Sequence, residues 1–338
     1  MTDTGLSPQD DLWQMVNGYE ISRAIHVVAT LGVADLMVDG PKEVRQLASE
    51  TRTDPPTLYR VLRAVASVGV FEEDSQGRFG LTPRAQYLRS DMPGSVRAWA
   101  MMVGGPSFWA SWGDLLDSVK TGETAFPKLH GMTNWEYRVR HPDEQSIFDA
   151  AMTVRSAAAM TAIVNEYDFA QFDVLVDVGG GHGVLLAAIL AANPSVRGIL
   201  FDQSQVVAEA NSTLRSNNVA DRCAVIGGDF FESVPSGADA YLLKSVLHDW
   251  DDEQATRTLK CCRAAMTQRG KLLVVEAVIH PPNEPDPMKF TDLRMLVMNG
   301  GRERTSTEFG QLYVAAGFNL GNIVQTRSPF SIVEGTPA

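Results

Sequence analysis

Cysteine is scarce: 338 residues contain three, Cys223, Cys261 and Cys262. None belongs to a CxxC pair, and two adjacent cysteines make a poor disulfide framework, so a stapled secreted scaffold is disfavoured and a reducing compartment fits. No stretch approaches the roughly 18 uncharged apolar residues of a membrane span, and the opening MTDTGLSPQDDLW lacks a basic and then apolar leader. A cytoplasmic protein without a membrane span is expected. Positive charge is also short: 29 Lys and Arg face 41 Asp and Glu, a net charge of -12, which argues against a broad nucleic-acid surface. No HExxH, CxxC or compact acidic metal cluster is apparent, and no metal is expected.

What is present is ordinary globular composition, 44% hydrophobic and 21% charged, with 17 prolines and 28 glycines scattered along the chain. The length favours two domains. Residues 1–100 predict helices followed by a small hairpin, resembling a winged helix-turn-helix. Asp54 can cap a helix opening at Pro55 or Pro56, its apolar stripe being Leu58, Val61, Leu62 and Val65, Gly69 can end it, and Gly77 offers the turn of a short wing. Residues 40–90 hold eight Lys or Arg against six Asp or Glu. That excess is too small to prefer phosphate binding, so a dimerisation role is expected.

Residues 101–338 predict a helical segment and then an α/β domain with its core from about 172. RAWAMMVGGPSFWASW suggests helices with a large apolar surface, either core or substrate wall. VLVDV, GILF, CAVIG, AYLLK and KLLVVE then alternate with helical stretches, the pattern of a mostly parallel sheet covered on both faces. GFNLGNIVQTRSPFSIVEG reads as two closing strands turning at Ser328 and Pro329. Ligands in such folds lie beyond the carboxyl ends of the strands.

The sharpest local signal is VLVDVGGGHGVLLAAIL. A strand carrying Asp177 runs into Gly179, Gly181 and Gly183, where glycine permits a tight turn and close backbone approach, and a helix start offers unpaired N–H groups. A dinucleotide fingerprint would want glycine at 184, which is Val184; GxGxG after an acidic strand is the form seen in S-adenosylmethionine-binding folds. Asp202, 25 residues after Asp177, stands where a carboxylate accepts from both ribose hydroxyls, a geometry that suits NAD equally. Asp229 and Phe230 fall where they can meet an adenine amino group and ring, or serve as a cap and a core residue. Lys244 closes the fourth strand within reach of the cofactor's polar end.

His248 follows four residues later, on the ligand side of the sheet. Glu276 ends the next strand, where a buried carboxylate requires a partner. Glu303 lies in NGGRERTSTEF, flanked by Gly300, Gly301, Arg302 and Arg304, and can pair with an arginine or orient the histidine. A carboxylate against His248 would fix its tautomer and stabilise the imidazolium. A phenol of pKa about 10 and an imidazole of about 6.5 make full proton transfer uphill by roughly 5 kcal/mol, so a positioned base acts as the C–O bond forms.

LVDVGGGHG, GGDFF, LLKSVLHDWDDE, LLVVEAVI and NGGRERTSTEF, in this order over roughly residues 12 to 334, resemble the plant caffeic-acid and flavonoid O-methyltransferase family, in its bacterial branch. The resemblance implies a Rossmann-like S-adenosylmethionine-dependent methyltransferase fold behind a mainly helical winged-helix dimerisation domain, hence a homodimer. It implies methyl transfer from S-adenosylmethionine, leaving S-adenosylhomocysteine, to a hydroxyl of a small aromatic or polyketide-like molecule in secondary metabolism. Gly179, Asp202, Asp229, Phe230 and Lys244 would contact the cofactor, together with Asp177, Gly181 and Gln203. His248 would be the base, bracketed by Glu276 and Glu303, with Asp249 positioning. Phe108, Trp109, Trp112, Met152, Met295 and Asn299 would line the substrate pocket. The chain departs from the plant pattern in reading Gln203 and Ser204 after Asp202, and GDFF for GDMF. Two other classes stay open: a ligand-sensing winged-helix transcriptional regulator, and a relative that keeps the cofactor for hydroxylation or decarboxylation.

Overall fold

The computed structural model describes residues 6–338, so the first five residues of the stretch read for a leader lie outside the described residues. The chain separates into two compact units made of interleaved segments: 1–115 with 126–156, and 116–125 with 157–338.

In the first unit, Ser7 caps helix Pro8–Thr30, and the predicted winged element is present. Asp54 accepts the Thr57 N–H at 2.9 Å and starts helix Pro55–Ser67, whose Leu58, Leu62 and Val65 are buried while Val61 is half-buried. The wing strands β2 (Phe71–Glu73) and β3 (Arg78–Leu81) turn at Gly77, with φ of 74°. A short β1 (Lys42–Glu43), not evident from its sequence, adds to the far edge of β3. The apolar segment after residue 96 forms helices Arg97–Val103 and Pro106–Gly113. Helix Pro142–Glu166, whose residues from 157 onward belong to the second unit, has the length and composition of a membrane span, properties that core helices also share.

The second unit is built on seven strands: β4 (Val174–Val178), β5 (Arg197–Asp202), β6 (Cys223–Gly227), β7 (Ala240–Lys244), β8 (Lys271–Glu276), β11 (Phe318–Gln325) and β12 (Ser331–Pro337). Their order is β11-β12-β8-β7-β4-β5-β6. β4 through β8 pair in parallel, and β12 lies antiparallel between β8 and β11. This is the Rossmann-like arrangement expected, closing strands included.

Hydrophobic character on both faces explains the parallel pairing. Leu175 and Leu242 face one buried cluster, and Val176, Val178 and Leu243 the other, all fully buried. Each such side chain contributes about 1.5–3 kcal/mol through burial. Because β4 is flanked by β5 on one side and β7 on the other, the winding direction reverses there, which opens a crevice at the carboxyl ends of β4 and β7. A small parallel pair, β9 (Val278–Ile279) with β10 (Arg304–Thr305), matches Arg304 to Val278 and so carries the loop of Glu303 back to the exit of β8.

Candidate active site

Five carboxyl ends deliver the chemistry. From β4, Gly179, Gly181 and Gly183 all take left-handed φ, of 70°, 59° and 75°, which only glycine adopts freely. A Cβ on Gly179 would stand 2.8 Å from Val246 Cγ2, and one on Gly180 2.5 Å from Leu200 Cδ1, whereas one on Gly181 would meet nothing within 4 Å. The loop is therefore packed from below and open above Gly181, a cradle that fits close approach of a ligand to bare backbone.

Asp202, at the end of β5, ties this loop down: Oδ2 accepts the Gly181 N–H at 2.8 Å, and Oδ1 accepts the Gln203 N–H at 2.7 Å. Each oxygen keeps a lone pair for a hydroxyl. Asp177, only 2% exposed, lies beneath the loop, and among the described residues its Oδ2 meets no hydrogen-bond partner. Burial pushes its carboxyl up to about 7; Lys244 works against the rise and Asp202 adds to it.

Asp229 is exposed after β6, accepting the Phe231 N–H at 2.8 Å. Phe230 is half-buried, with its ring centroid 4.8 Å from that of Phe231, and a Cβ on Gly179 would stand 3.8 Å from its Cε1. Lys244, at the end of β7, lies 5.0 Å from the Phe330 ring centroid. Gln203 is exposed. All eight sequence-predicted cofactor candidates thus fall at the ends of four neighbouring strands, Asp177 being covered rather than open.

The candidate reacting end follows β7 directly. Ser245 takes φ of 55°, a strained conformation for a residue with a side chain, and throws the chain into a single 3-10 turn, Leu247–Asp249. Glu276, 1% exposed, caps that turn: its Oε1 accepts the N–H groups of Val246 at 2.9 Å, Leu247 at 2.8 Å and His248 at 3.3 Å. Its second oxygen is 3.6 Å from His248 Nδ1. The closer partner of the imidazole is Glu303, 3.0 Å from Nδ1 and 3% exposed. Nδ1 therefore donates, and in the neutral imidazole Nε2, 3.9 Å from Asp249 Oδ1, is the accepting nitrogen. Asn299 donates to that same Asp249 oxygen at 2.8 Å, and Met295 sits one helical turn before Asn299.

Burial opposes a charge on His248, but Glu276, Asp249 and Glu303 together outweigh it and push the imidazole up to about 10. Burial pushes Glu276 up as well, while the imidazolium pulls it back. The three groups, scattered in sequence, bring ligand-type atoms within 4.8 Å of one another. Glu303 is not consumed by its neighbouring arginines. Arg302 pairs with Asp252 and Glu308, and Arg304 with Asp252.

The remaining predicted pocket residues belong to the first unit. Phe108, Trp109 and Trp112 share helix Pro106–Gly113, and Met152 lies on Pro142–Glu166. Phe108 is buried; Trp109 is 37% exposed beneath the Arg23 guanidinium, 4.6 Å from its ring; Trp112 and Met152 are half-buried. Sequence reasoning missed the residues that hold the histidine turn: Asp292, whose Oδ1 accepts the Glu303 N–H at 2.8 Å, and Gly301 and Arg304. Only the paired glycines of NGGRER hinted at a crowded backbone.

Residues 112–319 match the O-methyltransferase domain family, and residues 13–91 match the O-methyltransferase dimerisation domain. The chain belongs to this O-methyltransferase family. It is 45% identical over 326 residues to the phenazine O-methyltransferase PhzM of Lysobacter antibioticus, covering 96% of this chain and 95% of that one. It is 36% identical over 327 residues to the 8-amino-8-demethylriboflavin N,N-dimethyltransferase of Streptomyces davaonensis, covering 96% and 94%. The solved O-methyltransferase NcsB1 from neocarzinostatin biosynthesis, in complex with S-adenosylmethionine and 2-hydroxy-5-methyl naphthoic acid, matches with a TM-score of 0.83 at 35% identity, over 94% of this chain and 96% of that one.

This O-methyltransferase therefore uses S-adenosylmethionine and sits in the bacterial branch that the motifs indicated, among O- and N-methyltransferases of secondary metabolism. Its winged element lies in the segment shared with the dimerisation domain, which supports a homodimer and separates it from the regulator reading.

Proposed function

We propose that this enzyme methylates a hydroxyl group on a planar, fused aromatic molecule of the hydroxyphenazine or hydroxynaphthoate kind, with His248 as general base. The observation that carries this reading is the 3.0 Å contact between His248 Nδ1 and Glu303. It fixes the tautomer so that Nε2 faces away from the carboxylates' hydrogen bonds, able to take a hydroxyl proton. The substrate class rests on the phenazine relative and the naphthoate-bound neighbour. The half-buried thioether of Met295, one helical turn before Asn299, suits a flat ring.

When bound, S-adenosylmethionine supplies an electrophilic methyl group on a sulfonium. Asp202 binds the ribose, Asp229 and Phe230 receive the adenine, and Gly179, Gly181, Gln203 and Lys244 complete the cofactor contacts. Asp177 acts from beneath by setting the loop. His248 takes the phenolic proton as oxygen attacks; Glu303 stabilises the imidazolium that forms, and Glu276 holds the turn on which it stands. Asp249, tied to Asn299, orients the hydroxyl, and two copies associate through the winged-helix segments. Transfer of label from methyl-labelled S-adenosylmethionine to a hydroxyphenazine, analysed for O- against N-methylation, tests this reading. Product without label would revive the hydroxylation or decarboxylation alternative, and label on nitrogen alone would overturn the hydroxyl assignment.

A further inference from the structure

The turn that carries His248 is held from both sides by opposite charges. Glu276 collects its N–H groups. Its carbonyl side is held by Arg304, a guanidinium 1% exposed, which donates from Nη1 to Leu247 O at 2.9 Å and from Nη2 to Trp250 O at 3.0 Å. Asp252 balances the charge, with Oδ1 accepting from Nε at 3.0 Å and Nη2 at 2.8 Å. The same segment touches His248 itself: the Arg302 N–H donates to His248 O at 2.9 Å. Gly301 passes so close that a Cβ there would stand 2.0 Å from His248 O and 2.6 Å from the Asp249 carbonyl carbon.

We propose that Arg304, seated by the close passage of Gly301, is a positioning residue for methyl transfer, clamping the backbone on both sides of His248 so that its imidazole meets Glu303. The proposal rests on His248 being the base. A single loop supplies both the imidazole's partner, Glu303, and the next residue's carbonyl clamp, so the distance between partner and imidazole is set within a few covalent bonds. Leu247 O and Trp250 O lie three residues apart on the turn, and only a planar fork reaches both while keeping a carboxylate. The ammonium of lysine is a single point and cannot hold that set. A turn released from the clamp lets the imidazole rotate away from Glu303, and misplacement on the scale of 1 Å costs about 100-fold in rate.

The test compares Arg304→Lys and Asp252→Asn with His248→Ala, measuring kcat and KM for a phenolic substrate across pH, S-adenosylmethionine affinity by calorimetry, and thermal unfolding. Arg304→Lys is expected to lower kcat by about 10- to 100-fold with KM and cofactor affinity within about 3-fold, and to shift the rising limb of the pH profile, set by His248, to lower pH. If the lysine variant does not fold, Asp252→Asn decides: its side chain is 58% exposed, and it is expected to show the same split at about 3- to 10-fold. A folded variant with parental kcat and pH profile, beside an inactive His248→Ala, overturns the role of Arg304 alone. An active His248→Ala overturns the base assignment beneath it.

Discussion

His248 Nδ1 stands 3.0 Å from Glu303 Oε1 although 55 residues separate them, and in the neutral imidazole the pairing leaves Nε2 as the nitrogen without a carboxylate hydrogen bond. It also sets the price of neutrality at the base. With the imidazole pushed up to about 10, the histidine is mostly protonated at neutral pH, so easier proton transfer from a phenol is offset by scarcity of the neutral form.

The pH dependence follows. Raised from 6.5 to about 10, His248 is freed as a base only as pH climbs through that interval. For a phenol, kcat/KM should increase by about tenfold per pH unit from 7 to 9. Glu303→Gln removes one of the carboxylates holding the proton, so its profile should level off at lower pH and at a lower plateau. A flat parental profile from pH 7 to 9 would contradict this assignment.

Asp202→Ala removes a carboxylate that both anchors Gly181 and offers lone pairs to a ribose. Hydrogen bonds to a charged group contribute about 1.5–3 kcal/mol, so calorimetric affinity for S-adenosylhomocysteine should fall by about 10- to 100-fold. Unchanged affinity would remove Asp202 from the site.

The glycine loop predicts two distinct phenotypes. Gly180→Ala drives a methyl to 2.5 Å from Leu200 Cδ1 and 2.6 Å from Asp177 Oδ2, and should cost about 1–3 kcal/mol of stability. Gly181→Ala meets no atom within 4 Å but occupies the open side of the loop at φ of 59°, and should weaken cofactor binding more than it lowers Tm. Parental cofactor affinity in a folded Gly181→Ala variant would show that the space above Gly181 is not the ligand's.

Asp177 makes the fold sensitive to pH. Its carboxyl is raised from 3.8 to about 7, so the native state holds the proton more tightly than the unfolded chain. The stabilising contribution is complete below pH 3.8 and is lost as pH rises through about 7. Denaturation of Asp177→Asn against the parent, at pH 5 and pH 8, should show the difference moving in favour of the asparagine variant by a magnitude on the order of 1–3 kcal/mol at the higher pH. A difference independent of pH would show that Asp177 is not protonated in the native state.

Much of this was legible because it is local. The strand VLVDV, the glycines after it and the acidic ends of the next two strands declare themselves through apolar runs and turn residues, and Asp54 and Gly77 behave as their residue types require. The relation of Glu303 to His248 was not decidable, since Glu303 stands between two arginines and ion pairing within NGGRER was as reasonable. Only the parallel match of Arg304 with Val278 brings that loop to β8, and a two-residue ladder leaves no periodicity to read. Arg304 was hidden for the same reason: an arginine in a polar loop reads as solvated until three backbone and side-chain acceptors are found around it.

The most direct test of the central claim is His248→Ala, measured with methyl-labelled S-adenosylmethionine and a hydroxylated fused aromatic. Cofactor affinity should stay within about 3-fold of the parent while methyl transfer falls by about 100- to 10,000-fold, the range a general base contributes. Parental turnover by the folded, cofactor-binding variant would contradict the account.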